Sequence, residues 1–112
     1  MLTVNALKEL GADTKEGLGR CLNNEAFYLR MVNMGLKDGG FEKLKTAVDA
    51  GDMGAAFEAA HALKGILGNL SLTPLAEPVN EITEMLRHKE EADYPALVKE
   101  ILDKKAAFDA LL

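Results

Sequence analysis

The sequence predicts an all-α fold: an antiparallel up-down four-helix bundle with short N-terminal helices capping one end. Three observations carry that expectation. Ala, Leu, Glu and Lys abound, aromatics make up 5% of residues and Trp is absent, a bias toward helix over sheet. Apolar residues recur at alternating spacings of three and four through much of the chain, the period of a helix with one buried face. Capping residues and Gly or Pro breakers then divide the chain into amphipathic segments joined by short turns, as an up-down bundle requires. With 112 residues and no repeat, low-complexity tract or long linker, residues 1–112 read as a single domain.

Each element has its own signals. Thr3 can cap a short helix that presents Val4, Leu7 and Leu10 on one face and ends at Gly11. A second short helix follows from Asp13 to Leu22. Asn23 or Asn24 opens a longer segment in which Phe27, Met34, Phe41 and Val48 recur every seven residues, with Met31 and Leu44 in the same stripe. Gly39-Gly40 interrupts this run. The apolar phase is the same on both sides, however, which predicts one long helix over about 24–50, kinked at the glycine pair. Gly51 suits the left-handed residue that ends a helix, and Asp52 suits the N-cap of the next.

That next helix, over about 52–70, carries Met53, Ala56, Ala60, Leu63, Leu67 and Leu70 as its apolar stripe and spans roughly 28 Å at its ordinary rise. Glu58, His61 and Lys64 are the polar residues along most of its length, a pattern that fits packing on several sides. Thr73-Pro74 starts a fourth segment through Leu75, Val79, Ile82 and Leu86, and Pro78 predicts a bend or a late start there. The polar tract from Arg87 to Asp93 reads as a solvated helix end and turn. Tyr94-Pro95 opens the final helix, with Leu97, Ile101, Phe108 and Leu111 on its inner face.

Composition excludes several function classes. Thirteen basic against 18 acidic residues give a net charge of −5 with no basic tract, so a nucleic-acid partner lacks its electrostatic footprint. Cys21 is the sole cysteine, which forbids an internal disulfide; it reads as a small buried hydrophobe. The N-terminus MLTVNALKEL has no signal-peptide layout, and no apolar run approaches the ~20 residues of a membrane span. A cytoplasmic monomer with no membrane partner is expected, and Met1 favours a free-standing chain.

The helix over 52–70 holds an oddity. Gly54, His61, Gly65 and Gly68 fall within about 40° of one line along its surface, although each interior glycine costs about 1 kcal/mol relative to alanine. Such glycines either admit a neighbouring helix or leave clear ground for a partner. The apolar stripe centred on Ala60 and Leu67 lies about a third of a turn away, which favours clear ground around an accessible imidazole. Lys64, three residues on, can reach whatever is bonded to that ring, and its compact ammonium suits a phosphate. Glu58 and His61 also have the Glu-x-x-His spacing of di-iron bundles. No second such unit is present, and His88 sits in a polar tract, so no metal site is expected. Nor is there a phosphate-binding loop, nucleotide motif or nucleophile–base pair, and no independent enzymatic activity is expected.

Residues 60–72, AHALKGILGNLSL, resemble the signature of histidine-containing phosphotransfer (HPt) domains, in which A-H-x-L-K-G surrounds the phosphorylated histidine. G-L-x-R-C-L at 17–22, N-E-x-F-Y-L at 24–29 and the A-G-D turn at 50–52 resemble the family too, so the likeness covers nearly the whole chain. It implies a phosphorelay carrier of two-component signalling with His61 as phosphoacceptor through Nε2, Lys64 steadying the phosphate, and Gly65 and Gly68 clearing space for the partner. The implied partners are a response-regulator receiver domain and a sensor or hybrid histidine kinase. Mg²⁺ is expected on the receiver and no cofactor on this chain. Three departures stand out. Ser71 replaces a common glycine, Ile66-Leu67 replaces a smaller pair, and Thr83 falls where several members place a glutamine that bonds the imidazole. Thr83 and, one turn further, Arg87 as a second cation are thereby assigned to the docking surface. The alternative is a bundle that serves interaction without accepting phosphate; the intact His61, Lys64 and Gly65 set argues against it.

Overall fold

Helix starts in this chain follow from side chains that satisfy otherwise orphaned N–H groups. In the computed structural model, which describes residues 1–112, the Thr3 hydroxyl accepts from the Ala6 N–H and opens α1 (Val4–Glu9). The Asp13 carboxylate accepts from Glu16 and opens α2 (Thr14–Arg20), and Asn24 accepts from Phe27 and opens α3 (Glu25–Leu36). Asp52 and Asp93 do the same for α5 (Met53–Asn69) and α7 (Tyr94–Asp109). The other two helices, α4 (Gly40–Asp49) and α6 (Thr73–Arg87), start without a capping side chain of that kind, α6 with Pro74 in its first turn. Left-handed residues then turn the chain: Gly11 at φ +101°, Gly51 at φ +73° and Ser71 at φ +56°. Ser71 therefore takes a left-handed conformation that favours glycine.

The short turns make successive helices antiparallel. α5 packs between α4 and α6, and α7 closes the four-helix ring against both. α1 and α2 cover the end where α5 turns into α6, joined to it by the Asp13 N–H, which donates to the Ser71 carbonyl. A single cluster of 25 buried apolar residues runs from Leu7 to Phe108. At its centre Ala56, Ala60, Leu63 and Leu67 are fully buried, as the stripe on α5 predicts. No strand is present, and no helix is long and apolar enough to cross a membrane.

The expected long helix over 24–50 is two helices, broken at Lys37–Gly39. The Asp38 carboxylate takes the Gly40 N–H at 2.8 Å, competing with the helical ladder at that point. The break also resets the buried phase. In α3 the buried residues are Tyr28, Val32, Gly35 and Leu36, whereas Phe27 and Met34 are exposed; in α4 the expected Phe41, Leu44 and Val48 are buried. α4 runs along α5, where Gly40 abuts Leu63, whereas α3 meets α5 only near its end, where Gly35 abuts Ile66 and Leu70. The late start expected at Pro78 does not occur: α6 begins at Thr73 and runs through Pro78, which leaves the Pro74 carbonyl without its usual donor. On α7 Val98 is buried and Leu97 only half-buried.

Candidate functional site

α5 presents its functional residues because its two faces differ in side-chain size. Ala56, Ala60, Leu63 and Leu67 anchor the inner face, and the opposite face carries His61 and Gly65, both exposed, and the half-buried Gly68. His61 is exposed. A Cβ built at Gly65 or at Gly68 would meet nothing within 4 Å, so these glycines serve no close contact within the chain. Gly54, on the same surface line, belongs elsewhere: it borders a separate groove of about 570 Å³ with Met53, Phe57, Leu86 and Tyr94.

The imidazole leans on Phe57, one turn earlier on α5, with ring centroids 5.5 Å apart and planes inclined at 31°. Arg87 from α6 lies over the same phenyl ring, its guanidinium carbon 5.0 Å from the centroid. Arg87 is also paired with Glu84 at 3.0 Å. Its hydrogen bond holds the Glu84 carboxyl below the usual carboxylate range, with the charges of Arg87, Lys64 and His88 adding to the effect against desolvation. Lys64 takes part in none of the chain's ion pairs. Its ammonium is thus uncommitted beside an exposed ring.

His61, Lys64, Gly65, Gly68 and Asn69 line a shallow depression of about 350 Å³ without an apolar residue. Its sixth lining residue, Arg20, comes from α2. The guanidinium donates to the Gly68 carbonyl at 2.6 Å and pairs with Glu16 at 3.0 Å, and Glu16 in turn accepts from the Ser71 hydroxyl at 2.9 Å. Sequence reasoning missed Arg20 because nothing local connects residues 48 positions apart. Phe57 was legible in principle, since i and i+4 on a helix are neighbours.

The residues assigned from the sequence are therefore only partly brought together. His61, Lys64, Gly65 and Gly68 share the depression. Arg87 reaches it indirectly, across Phe57. Thr83 does not reach it: the side chain is fully buried and its hydroxyl donates to the Val79 carbonyl at 2.6 Å. A threonine hydroxyl inside a helix can bond the carbonyl one turn back, so Thr83 neither orients the imidazole nor offers a docking surface. His88 lies at the end of α6, its Nδ1 2.8 Å from the Glu84 carbonyl. No three His, Cys, Asp or Glu side chains converge as a metal-binding group.

Chemically, the arrangement offers an exposed imidazole, an unpaired ammonium one turn away and open space beside both. The family model of the Hpt domain matches residues 40–111, which is α4 through α7. Comparison with curated proteins and with solved structures returns no match for either.

Proposed function

The chain belongs to the Hpt domain family, and from that premise we propose that it is a phosphorelay carrier that holds a phosphoryl group on His61. The donor and acceptor are an aspartate on a response-regulator receiver domain, and a sensor or hybrid histidine kinase feeds the relay. One observation carries the reading: the exposed His61 ring shares a depression with the uncommitted Lys64 and two glycines that have nothing within 4 Å.

In the step, the lone pair of neutral His61 Nε2 forms the N–P bond while the P–O bond to the partner's aspartate breaks. The bonding electrons leave with the carboxylate. The proton on Nδ1 stays through the transfer and exchanges with water afterwards. Reversal returns the phosphoryl group to a carboxylate with the same balance. Such transfers depend chiefly on positioning and charge stabilisation. Phe57 limits the tilt of the ring, Lys64 offsets the phosphoryl charge, and Gly65 lets the partner's aspartate approach in line. Mg²⁺ is carried by the receiver, and this chain supplies no cofactor of its own. It is a carrier rather than a catalyst.

Incubation with phosphoramidate, a small phosphodonor, tests the reading. Wild-type protein gains one acid-labile phosphate and His61→Gln gains none, with equal helicity and melting temperature. Labelling that survives in the variant places the acceptor elsewhere, and absence of labelling in the wild type removes the proposal.

A further inference from the structure

We infer that Arg20 forms a second docking point of the His61 face, receiving an acidic side chain on the body of the incoming receiver domain; this rests on the phosphorelay reading above. The depression gathers Arg20, Lys64 and His61 in a chain whose net charge is −5. Its lining holds no carboxylate and no apolar residue, so the chemistry that fits it is anionic. Gly68, to which Arg20 is bonded, lies seven residues beyond His61, about 10 Å along the helix axis. That separation sets the carbonyl held by Arg20 well along the helix from the imidazole, so Arg20 suits an anionic group on the partner's surface.

Arg20 is prepared for such a contact. A guanidinium carries five N–H donors; the Gly68 carbonyl and Glu16 engage Nη1 and Nη2, and the remaining donors are open on a side chain that is 48% exposed. Both bonds fix the guanidinium in place, so little side-chain freedom is lost on docking. Gly65 and Gly68 leave the approach clear. Glu16 offsets part of the Arg20 charge, and its own acceptor capacity is shared with the Ser71 hydroxyl. The alternative role for Arg20 is purely structural, as a clamp between α2 and the end of α5.

The experiment compares two ways of labelling His61: phosphoramidate, and the phosphorylated receiver domain that labels the wild type fastest among those of the source genome. Arg20→Gln is expected to lower the ratio of receiver-driven to phosphoramidate-driven rates about tenfold at about 0.05 M salt, mainly through KM, with convergence toward wild type at about 0.5 M. Arg20→Lys keeps the charge and should stay within about threefold of wild type. Asn69→Asp leaves every Arg20 contact in place but adds a carboxylate to the depression; it should lower the same ratio several-fold and keeps the test open if Arg20→Gln does not fold. A ratio unchanged in Arg20→Gln and in Asn69→Asp overturns the inference. So does a loss shared equally by both rates and by thermal stability, the signature of the clamp. If neither donor labels the wild type, the phosphorelay reading itself fails; if both do and the ratio is indifferent to Arg20, only the docking point fails.

Discussion

Two groups of helical glycines, one at contacts between helices and one on the open face of α5, do opposite things. A Cβ at Gly17 would lie 2.5 Å from the Tyr28 ring, one at Gly35 2.5 Å from Leu70 Cδ1, and one at Gly40 3.0 Å from Leu63. These glycines let helices approach closely, and the burial they permit offsets their weak helix propensity. Gly65 and Gly68 have no such neighbour. Each still costs the helix about 1 kcal/mol relative to alanine, with nothing gained inside the chain. On the docking reading proposed above, the compensating interaction lies with another molecule. Glycine in a helix is thus informative only once its surroundings are known, and the two groups should separate cleanly in experiment.

The largest effect is expected at Gly65. Gly65→Gln should leave the fold intact or stabilise it by up to about 1 kcal/mol, yet slow receiver-driven transfer about 100-fold, since in-line transfer tolerates displacements of only about 1 Å. Phosphoramidate labelling should suffer far less. A melt that falls together with both labelling rates would put Gly65 in the packing group and erase the contrast. Next comes Gly17→Ala, which drives a methyl into the buried Tyr28 ring and should destabilise by about 1–3 kcal/mol in a denaturant melt; an unchanged midpoint would show that the ring can move aside.

Tyr28 sharpens the comparison by pH. Its hydroxyl donates to the Leu70 carbonyl at 2.9 Å, and burial first, then the charges of Cys21 and Asp13, push its pKa from 10.0 up to about 12. A raised pKa in the fold means that the neutral phenol is favoured there. Its contribution is complete below pH 10 and is lost as pH rises toward about 12. Tyr28→Phe should cost about 1 kcal/mol at neutral pH and flatten that alkaline decline. A decline of equal size in the variant would assign it to other groups. Smallest of all, Gly68→Ala should raise stability by at most about 1 kcal/mol, detectable as a shift of a few degrees in melting temperature; a loss would reveal a neighbour that the open face lacks.

Much of this was legible beforehand where the governing interactions are local. Thr3 and Asp52 cap the helices they were expected to cap, Asn24 is the one of the two expected asparagines that opens α3, and Gly11 and Gly51 are left-handed. The stripe on α5 set His61 outward with Gly65 and Gly68 because a 17-residue helix keeps its phase. The same reasoning misled at Gly39-Gly40, where a continuous heptad suggested one helix. There the Asp38 carboxylate interrupts the ladder, and Tyr28 and Val32 rather than Phe27 and Met34 turn inward. Thr83 failed for a related reason: backbone hydrogen bonding within its own helix claimed the hydroxyl. Arg20 lay beyond sequence reasoning altogether, because its place beside Gly68 depends on how α2 folds over the end of the bundle.

The seam between those two parts has a kinetic meaning. Asp13 donates to the Ser71 carbonyl, Tyr28 to the Leu70 carbonyl, Arg20 to the Gly68 carbonyl, and Ser71 to Glu16. Four bonds thus fasten residues 13–28 to residues 68–71, at the end of the helix that bears the histidine. Lifting α2 would break the three bonds made by Asp13, Glu16 and Arg20 together and fray that end, so the two segments should open as one cooperative unit with a free energy below that of global unfolding. The Asp13 amide, whose acceptor is Ser71, is a natural reporter: its rate of hydrogen exchange measures how often the N-terminal layer lets go.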